Sequence, residues 1–367
     1  MIFKTLLTGI DQGLVWAIMA IGVYISYRIL DFADLTVEGS FATGGATAAI
    51  MMTLCENFVS KGSGQGVFIA IVAMLIAMII GGLAGLVTGL LNTKLKIAPI
   101  LSGILTMTAL YSVNMFIMGL NLGFGNMSSG LALNSTLFTK IAEFMPIGRN
   151  WIIFIVGIIA VAIVVGLLYW FFGTETGSAM RATGNNEKMA MAQGINTQSS
   201  KILGLVLSNA FVALSGALVV FQQSNATNTM GVGSIVAGLA AIIIGESIIS
   251  GKFPFWARLL SVALGSIIYR IIISYIYLTG INTDYVKILT SALVVVFLAI
   301  PFIKEKVGKL PKKNKKIKNS DNGDSTDVLQ GEQVETAGGE NADVSEQISQ
   351  NSATNTANDG DKAVGEA

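Results

Sequence analysis

Few side chains in this sequence are equipped for chemistry, and most of those that are lie in or beside apolar runs. There is no histidine and a single cysteine, Cys55. Histidine acid–base chemistry, His/Cys metal sites and an internal disulfide are therefore excluded. What remains is a small set of carboxylates, hydroxyls and amides. Asp31, Asp34, Thr36, Glu38 and Ser40 share one polar stretch, Asp31-Phe-Ala-Asp-Leu-Thr-Val-Glu-Gly-Ser-Phe-Ala-Thr-Gly-Gly. Asn225, Asn228 and Ser234 share another, Gln222-Gln-Ser-Asn-Ala-Thr-Asn-Thr-Met-Gly-Val-Gly-Ser. Such groups offer hydrogen bonds and charge to a polar guest, not a nucleophile with its base. No catalytic residue, metal ligand or cofactor is assigned. The chain also lacks a Gly-x-x-x-x-Gly-Lys-Ser/Thr phosphate loop, so it has no nucleotide motor of its own.

The elements that position these groups follow from composition. Of 367 residues 53% are hydrophobic and 12% charged, with a mean hydropathy of +0.68. A soluble domain carries about twice that charged fraction. The apolar residues gather in runs of about twenty, the length that crosses a bilayer core. Nine spanning or partly re-entrant segments are predicted, near 9–27, 37–54, 67–91, 98–120, 151–172, 201–222, 231–250, 258–279 and 285–303. The first is read as a helix rather than a signal peptide. Only Lys4 precedes it, its apolar run is too long, and no small-residue cleavage site follows. Backbone polar groups must be satisfied within lipid, so the fold class is an all-α polytopic membrane protein.

Basic residues set the orientation. One alternate set of connections holds Arg28, Lys94, Lys96, Arg181, Lys188, Lys201, Lys252 and Arg258, and shares its side with eight lysines between Lys304 and Lys318. The other set holds Lys4, Lys61, Lys140, Arg149 and Lys287. The richer side is read as cytoplasmic, with the N-terminus outside and the C-terminus inside. Three regions result: a transmembrane domain over 1–303, a basic segment over 304–318 suited to anionic headgroups, and a tail over 319–367. That this segment is only a topology determinant is the alternative. The tail holds eleven acids, one lysine and no aromatic residue, a composition expected to stay disordered. The net charge of +1 is thus a local balance, and no nucleic-acid partner is expected.

Nine segments divide as four, one and four, and an odd linker helix sets the two four-helix units in opposite orientations. The two polar stretches then occupy matching places, each ahead of a small-residue helix near Ala46–Ile50 and Ala237–Ile244. Paired interrupted segments of this kind point to a translocation pathway. On that reading Asp31, Asp34, Thr36, Glu38, Ser40, Asn225, Asn228 and Ser234 line it; ordinary polar loops are the alternative. In the second half, Glu246 and Arg270 are the charges placed within spans. A straight helix puts Glu246 about 10 Å from the level of Arg270, at 1.5 Å per residue, so a pair between them requires snorkelling. Arg270 is read as a structural charge. Asp11 is expected to be wet near an outer helix end.

The connection from Gly173 to Ser200 is the most informative soluble segment. Asn185 or Asn186 can cap a helix there, Glu187 suits its first turn, and Gly194 can end it in the left-handed conformation. Two turns, from Glu187 to Gln193, would expose Met189 and Ala190 for docking in a partner groove. A plain connector on the membrane surface is the alternative.

The chain resembles the permease family that serves branched-chain amino acid, ribose and related ABC importers, most nearly the subgroup linked to tryptophan or tyrosine uptake. The residues carrying this are Asp31-Phe-Ala-Asp-Leu-Thr-Val-Glu-Gly-Ser-Phe, Arg181-Ala-Thr-Gly-Asn-Asn, Gln193-Gly-Ile-Asn and Ile244-Gly-Glu, and the likeness covers about 5–303. It implies a coupling loop at Arg181–Asn196, including Arg181, Thr183, Gly184, Asn185, Met189, Ala190 and Gly194. It further implies separate ATP-binding cassette subunits, an external solute-binding protein, and a second permease copy or a related one. From the residues alone, two other readings stay open. One is an ion-coupled transporter with its ion at Asp31, Asp34 or Glu38. The other is a membrane scaffold or sensor that moves nothing.

Overall fold

The structure, a computed structural model, describes residues 2–59, 62–123, 127–144, 148–248, 254–278, 288–297 and 299. Helix α1 (Ile2–Tyr24) continues as a π-helical turn (Ile25–Ile29), followed by α2 (Thr36–Leu54), α3 (Glu56–Val59), α4 (Ser63–Thr93) and α5 (Pro99–Gly119). Strand β1 (Gly130–Ala132) precedes α6 (Leu137–Phe144), α7 (Arg149–Phe172), α8 (Glu175–Asn185), α9 (Glu187–Ala192) and α10 (Thr197–Gln223). Strand β2 (Asn225–Thr227), α11 (Ser234–Ile248) and α12 (Phe255–Leu278) complete this order, and a short apolar helix α13 covers Ile288–Phe297. Lys61, Lys252, Asp284, Lys287, the basic segment 304–318 and the tail 319–367 lie outside the described residues.

Among the described residues six stretches are long and apolar enough to cross a membrane: Thr5–Ile29, Gly64–Thr93, Pro99–Leu122, Arg149–Phe172, Thr197–Gln223 and Phe255–Leu278. The other three predicted segments fall on α2, α11 and α13, which are too short or too polar for that count. Helix α2 is the instructive one. Thr, Gly, Ser and Glu along its 19 residues lower its hydropathy, yet from Thr36 to Ile50 every residue except Glu38 is buried. It is enclosed by α4, α5 and α10 instead of facing lipid. The first polar stretch is also less broken than its sequence suggests, since the helix resumes at Thr36.

Helices α1 and α10 form the heart of the bundle, and small residues let their neighbours approach. Gly9 and Gly13 of α1 face Ile271 and Ile267 of α12, an antiparallel crossing. Gly81, Gly85 and Gly89 of α4 face Asn209, Leu205 and Ile202 of α10, again antiparallel. Where α1 and α10 meet, Ser208 Oγ donates to the Gly22 carbonyl at 2.7 Å and Ser215 Oγ donates to the Val15 carbonyl at 2.8 Å. These hydroxyls add interhelical bonds in a region with no competing water. Helix α4 instead turns Phe68, Ile71, Leu75, Ile79, Leu83 and Val87 outward, the spacing of one helix face. Trp151 and Trp170 stand exposed at the two ends of α7, as an interfacial belt requires.

The connections sort into two ends. One carries the π-helical turn, the Lys94–Lys96 connection, α8, α9 and the start of α12. The other carries α3, α6 and a two-stranded antiparallel ribbon that pairs Gly130 with Thr227 and Ala132 with Asn225. That ribbon departs from a purely helical chain. It satisfies backbone groups in the connections that flank α5 and α11.

Candidate functional site

The chain leaves α1 through the π-helical turn and reverses sharply at Asp31, which adopts φ +52°. Asp34 then enters the bundle and is buried. Its Oδ1 accepts from the Thr36 backbone N–H at 2.9 Å, and its Oδ2 accepts from Asn209 Nδ2 at 2.7 Å. Asn209 Oδ1 in turn accepts from Ser40 Oγ at 2.7 Å. The Thr36 hydroxyl lies 2.6 Å from that of Thr88, which donates to Thr106 at 2.9 Å. Asp34, Thr36 and Ser40 therefore belong to a saturated network that ties α2 to α4, α5 and α10. Thr88, Thr106 and Asn209 are its members that sequence reasoning missed; isolated hydroxyls and amides in apolar helices carry no periodic signal.

Glu38 points elsewhere. With Gly39 and Ala42 of α2, Met107, Thr108, Tyr111 and Asn114 of α5, and Asn228 and Val232 ahead of α11, it lines a cavity of about 210 Å³. Glu38 Oε1 accepts from the Gly233 backbone N–H at 2.9 Å. Two glycines make that approach: a methyl at Gly231 would strike the Glu38 carbonyl, and Gly233 holds φ +82°. Asn228 Nδ2 donates to the Tyr111 carbonyl at 3.1 Å, but its Oδ1 has no partner. Asn114 is only 1% exposed, and neither its amide nitrogen nor its oxygen is hydrogen-bonded. Buried polar groups are nearly always paired, so these orphans mark the cavity as chemically incomplete.

The eight predicted pathway residues thus separate. Glu38 and Asn228 meet in the cavity; Asp34, Thr36 and Ser40 hold the frame beside it. Ser234 begins α11 with a buried hydroxyl that has no partner. Asp31 lies at the far end of the reversal, among arginines. Asn225 sits exposed on β2 opposite Ala132, away from the cavity lining.

At the π-helical end, α8 and α9 form a small unit. Sequence reasoning missed α8, whose cap is Thr174. Asn186 caps α9 by accepting from the Met189 N–H at 3.0 Å, Gly194 ends it at φ +81°, and Glu187 pairs with Lys201 at 2.6 Å. The helix runs to Ala192, close to the predicted Gln193. One expectation fails: Ala190 is buried, and the exposed apolar pair is Met189 and Met191. The reason is helical geometry. Residues 189 and 190 point about 100° apart, and the inner side of α9 is taken by α8 and α10.

The unit is fixed closely to the bundle. Gly184 of α8 packs on the Ile29 carbonyl, where a side chain would collide. Thr183 is buried and donates to the Ala179 carbonyl at 2.8 Å. Arg181 donates to the Phe172 carbonyl at 2.9 Å, with its guanidinium 5.9 Å from the Phe255 ring. Arg181, Gly184 and Asn185 share a cavity of about 630 Å³ with Arg28, Asp31 and Arg258.

The remaining charges are arranged otherwise than sequence distance suggested. Glu246 pairs with Arg28 at 2.9 Å, not with Arg270. Arg270 lies over the Trp16 ring at 3.5 Å, a cation–π contact, and its Nε has no hydrogen-bond partner. Asp11 is buried, not wet, and its Oδ1 is unpartnered. Helix α1 packs against α7, α10, α11 and α12, and Asp11 lies on the side turned away from Gly9 and Gly13, so that side is enclosed too. Among the described residues no group of three or more His, Cys, Asp or Glu could hold a metal ion.

An apolar helical bundle with a largely apolar cavity that carries a few polar groups, and a compact helical unit at one end, defines a multi-pass membrane protein of the transport class. Residues 5–298 match the family described as the permease component of the branched-chain amino acid transport system, and the chain belongs to that family of ABC-type permease components. It is 35% identical over 294 residues to the tyrosine transport system permease protein of Clostridioides difficile (strain R20291), covering 80% of this chain and 90% of that one. It is 27% identical over 292 residues to the ribose import permease protein RbsC of Escherichia coli (strain K12), covering 79% and 83%. No solved structure matches the chain.

Proposed function

We propose that this chain is the membrane-spanning subunit of an importer that moves an amino acid, with an aromatic one favoured. Separate ATP-binding cassette subunits power it, an external solute-binding protein delivers the solute, and a second permease copy or a related one completes the pathway. The observation that carries this reading is the α8–α9 unit. It is capped at Thr174 and Asn186, anchored by Gly184 on the Ile29 carbonyl and tied to α10 through Glu187–Lys201, yet it presents Met189 and Met191 outward. Methionine side chains adapt to a partner groove, and a unit fixed at its base transmits what pushes on its tip.

The amino-acid assignment is supported by the tyrosine relative; the ribose relative marks the rival solute class. On this reading the unit faces the cytoplasm, with the N-terminus outside and the C-terminus inside. Nine segments then form inverted units, with α1, α2, α4 and α5 opposed to α10–α13 across α7. The packing supports this: α10 lies on α4 as α1 lies on α12, α10 on α2 as α1 on α11, and α2 on α4 as α11 on α12. ATP binding closes the motor subunits, α8–α9 moves with them, and access alternates around the cavity beside Glu38.

The test is ATPase activity of the chain assembled in nanodiscs with its ATP-binding subunits, with and without Met189→Glu and Met191→Glu. Loss of stimulated activity and of copurification, with an unchanged melting temperature, is the expected result. Indifference to both substitutions sinks the coupling assignment.

A further inference from the structure

We infer that Asn114, Asn228 and Glu38 form a recognition site for the zwitterionic head of an α-amino acid, so that the permease itself selects its solute. The inference rests on the proposed transport function and deepens it by assigning selectivity to residues of this chain. Three observations converge. Asn114 is buried on α5 with its amide oxygen and nitrogen both unpartnered, and it lines the cavity. Asn228, from a different element, lines the same cavity with an unpartnered oxygen. Glu38, from a third element, brings a carboxylate to it with Oε1 already oriented by Gly233.

The inventory of these groups is selective. On offer are two amide oxygens, a carboxylate and the unpaired amide nitrogen of Asn114 with its two N–H donors. An ammonium has three donors and no acceptor, and a carboxylate has only acceptors. The α-amino acid head therefore matches both lists: its ammonium meets Glu38 and the two amide oxygens, and its carboxylate takes Asn114 Nδ2. A sugar hydroxyl carries no charge and leaves the Glu38 carboxylate without a cation. Met107, Tyr111, Ala42 and Val232 give the rest of the cavity an apolar wall for a side chain, the usual make-up of a small-ligand site.

The test is equilibrium binding to the full chain in nanodiscs, without the solute-binding protein, read by saturation-transfer NMR. The probes are tyrosine, tyramine (no carboxylate), 3-(4-hydroxyphenyl)propionate (no ammonium) and ribose. Tyrosine is expected to bind, and each head-truncated analogue to compete at least tenfold less well. Asn114→Leu and Glu38→Gln are each expected to weaken tyrosine at least tenfold, with Asn114→Gln partly restoring it. Equal competition by the analogues on the unsubstituted chain overturns the inference whether or not any variant folds. So does unchanged tyrosine binding by a folded Asn114→Leu, which leaves only water at the amide. If the complete transporter takes up ribose and no amino acid, the proposed solute class fails as well. If it takes up tyrosine while the chain alone binds none, only the recognition site fails.

Discussion

Asn209 offers the sharpest test of how this bundle is held. Its side chain makes three hydrogen bonds: Nδ2 donates to Asp34 Oδ2 at 2.7 Å and to the Leu205 carbonyl at 3.0 Å, and Oδ1 accepts from Ser40 Oγ at 2.7 Å. Leucine at this position keeps the volume and removes all three. The Leu205 carbonyl keeps its helical role, but Asp34 Oδ2 and Ser40 Oγ are left buried with no protein partner. Each orphaned group costs about 1–3 kcal/mol, more where it carries charge, so Asn209→Leu is expected to cost about 2–6 kcal/mol. At about 2.1 cal/mol/K of unfolding entropy per residue a chain of this length shifts by about 1.3 °C per kcal/mol, so the apparent melting temperature should fall by about 3 °C or more. The assay is thermal unfolding in detergent at a fixed scan rate, because such unfolding is commonly irreversible. The double variant Asp34→Leu/Asn209→Leu removes both partners, and its loss should fall short of the sum of the single losses by at least about 0.5 kcal/mol. A fall of less than about 2 °C for Asn209→Leu, or strict additivity in the cycle, would refute the claim that Asn209 satisfies Asp34.

Other substitutions probe separate contacts. Gly184→Ala places a methyl against the Ile29 carbonyl; the expected loss is about 1–3 kcal/mol together with faster proteolysis between Gly173 and Ser200, and an unaltered cleavage pattern counts against the anchor. Arg28 and Glu246 are 59% and 40% exposed at the side chain, so a double-mutant cycle on Arg28→Gln and Glu246→Gln should return about 0.2–1 kcal/mol; a larger coupling would mean the pair is shielded in the assembled protein. Trp16→Leu takes the ring from under Arg270 and is expected to cost at least about 2 kcal/mol, with Arg270→Met in the same chain recovering part of it. No recovery in that double variant would show that the arginine does not depend on the ring.

Much of the bundle was legible because burial in lipid obliges long apolar runs to be helices. The six longest spans fall where the runs lie, and the α9 cap and its Gly194 terminator stand where local backbone chemistry puts them. What was not legible depends on neighbours. Helix α2 reads as a broken polar stretch because its Thr, Ser and Gly residues suit other helices rather than lipid. Ala190 and Met191 exchange roles because α8, which has little apolar signal, covers one side of α9. Glu246 finds Arg28 because α1 brings its end to that of α11, a meeting across 218 residues that no spacing rule anticipates.

The same distinction separates two kinds of polar residue inside the bundle. Asp34, Ser40, Thr36 and Asn209 share their hydrogen bonds with one another, and a network whose members are satisfied stiffens what it joins. Asn114 and Asn228 leave amide atoms unpaired beside a cavity, and such groups seek a partner from outside the chain. Both kinds are short polar side chains in apolar surroundings, and residue type alone does not tell them apart. Helix α2 touches both places: Ser40 is turned to Asn209 of α10, and Glu38, held by the Gly233 N–H, is turned to the cavity beside α5. A shift of α10 against α2 would therefore act on the frame and on the cavity wall through a single helix. On the proposed recognition site, the demand for rigidity falls at Ser40 and the demand for selectivity at Glu38, two residues apart on different faces of α2.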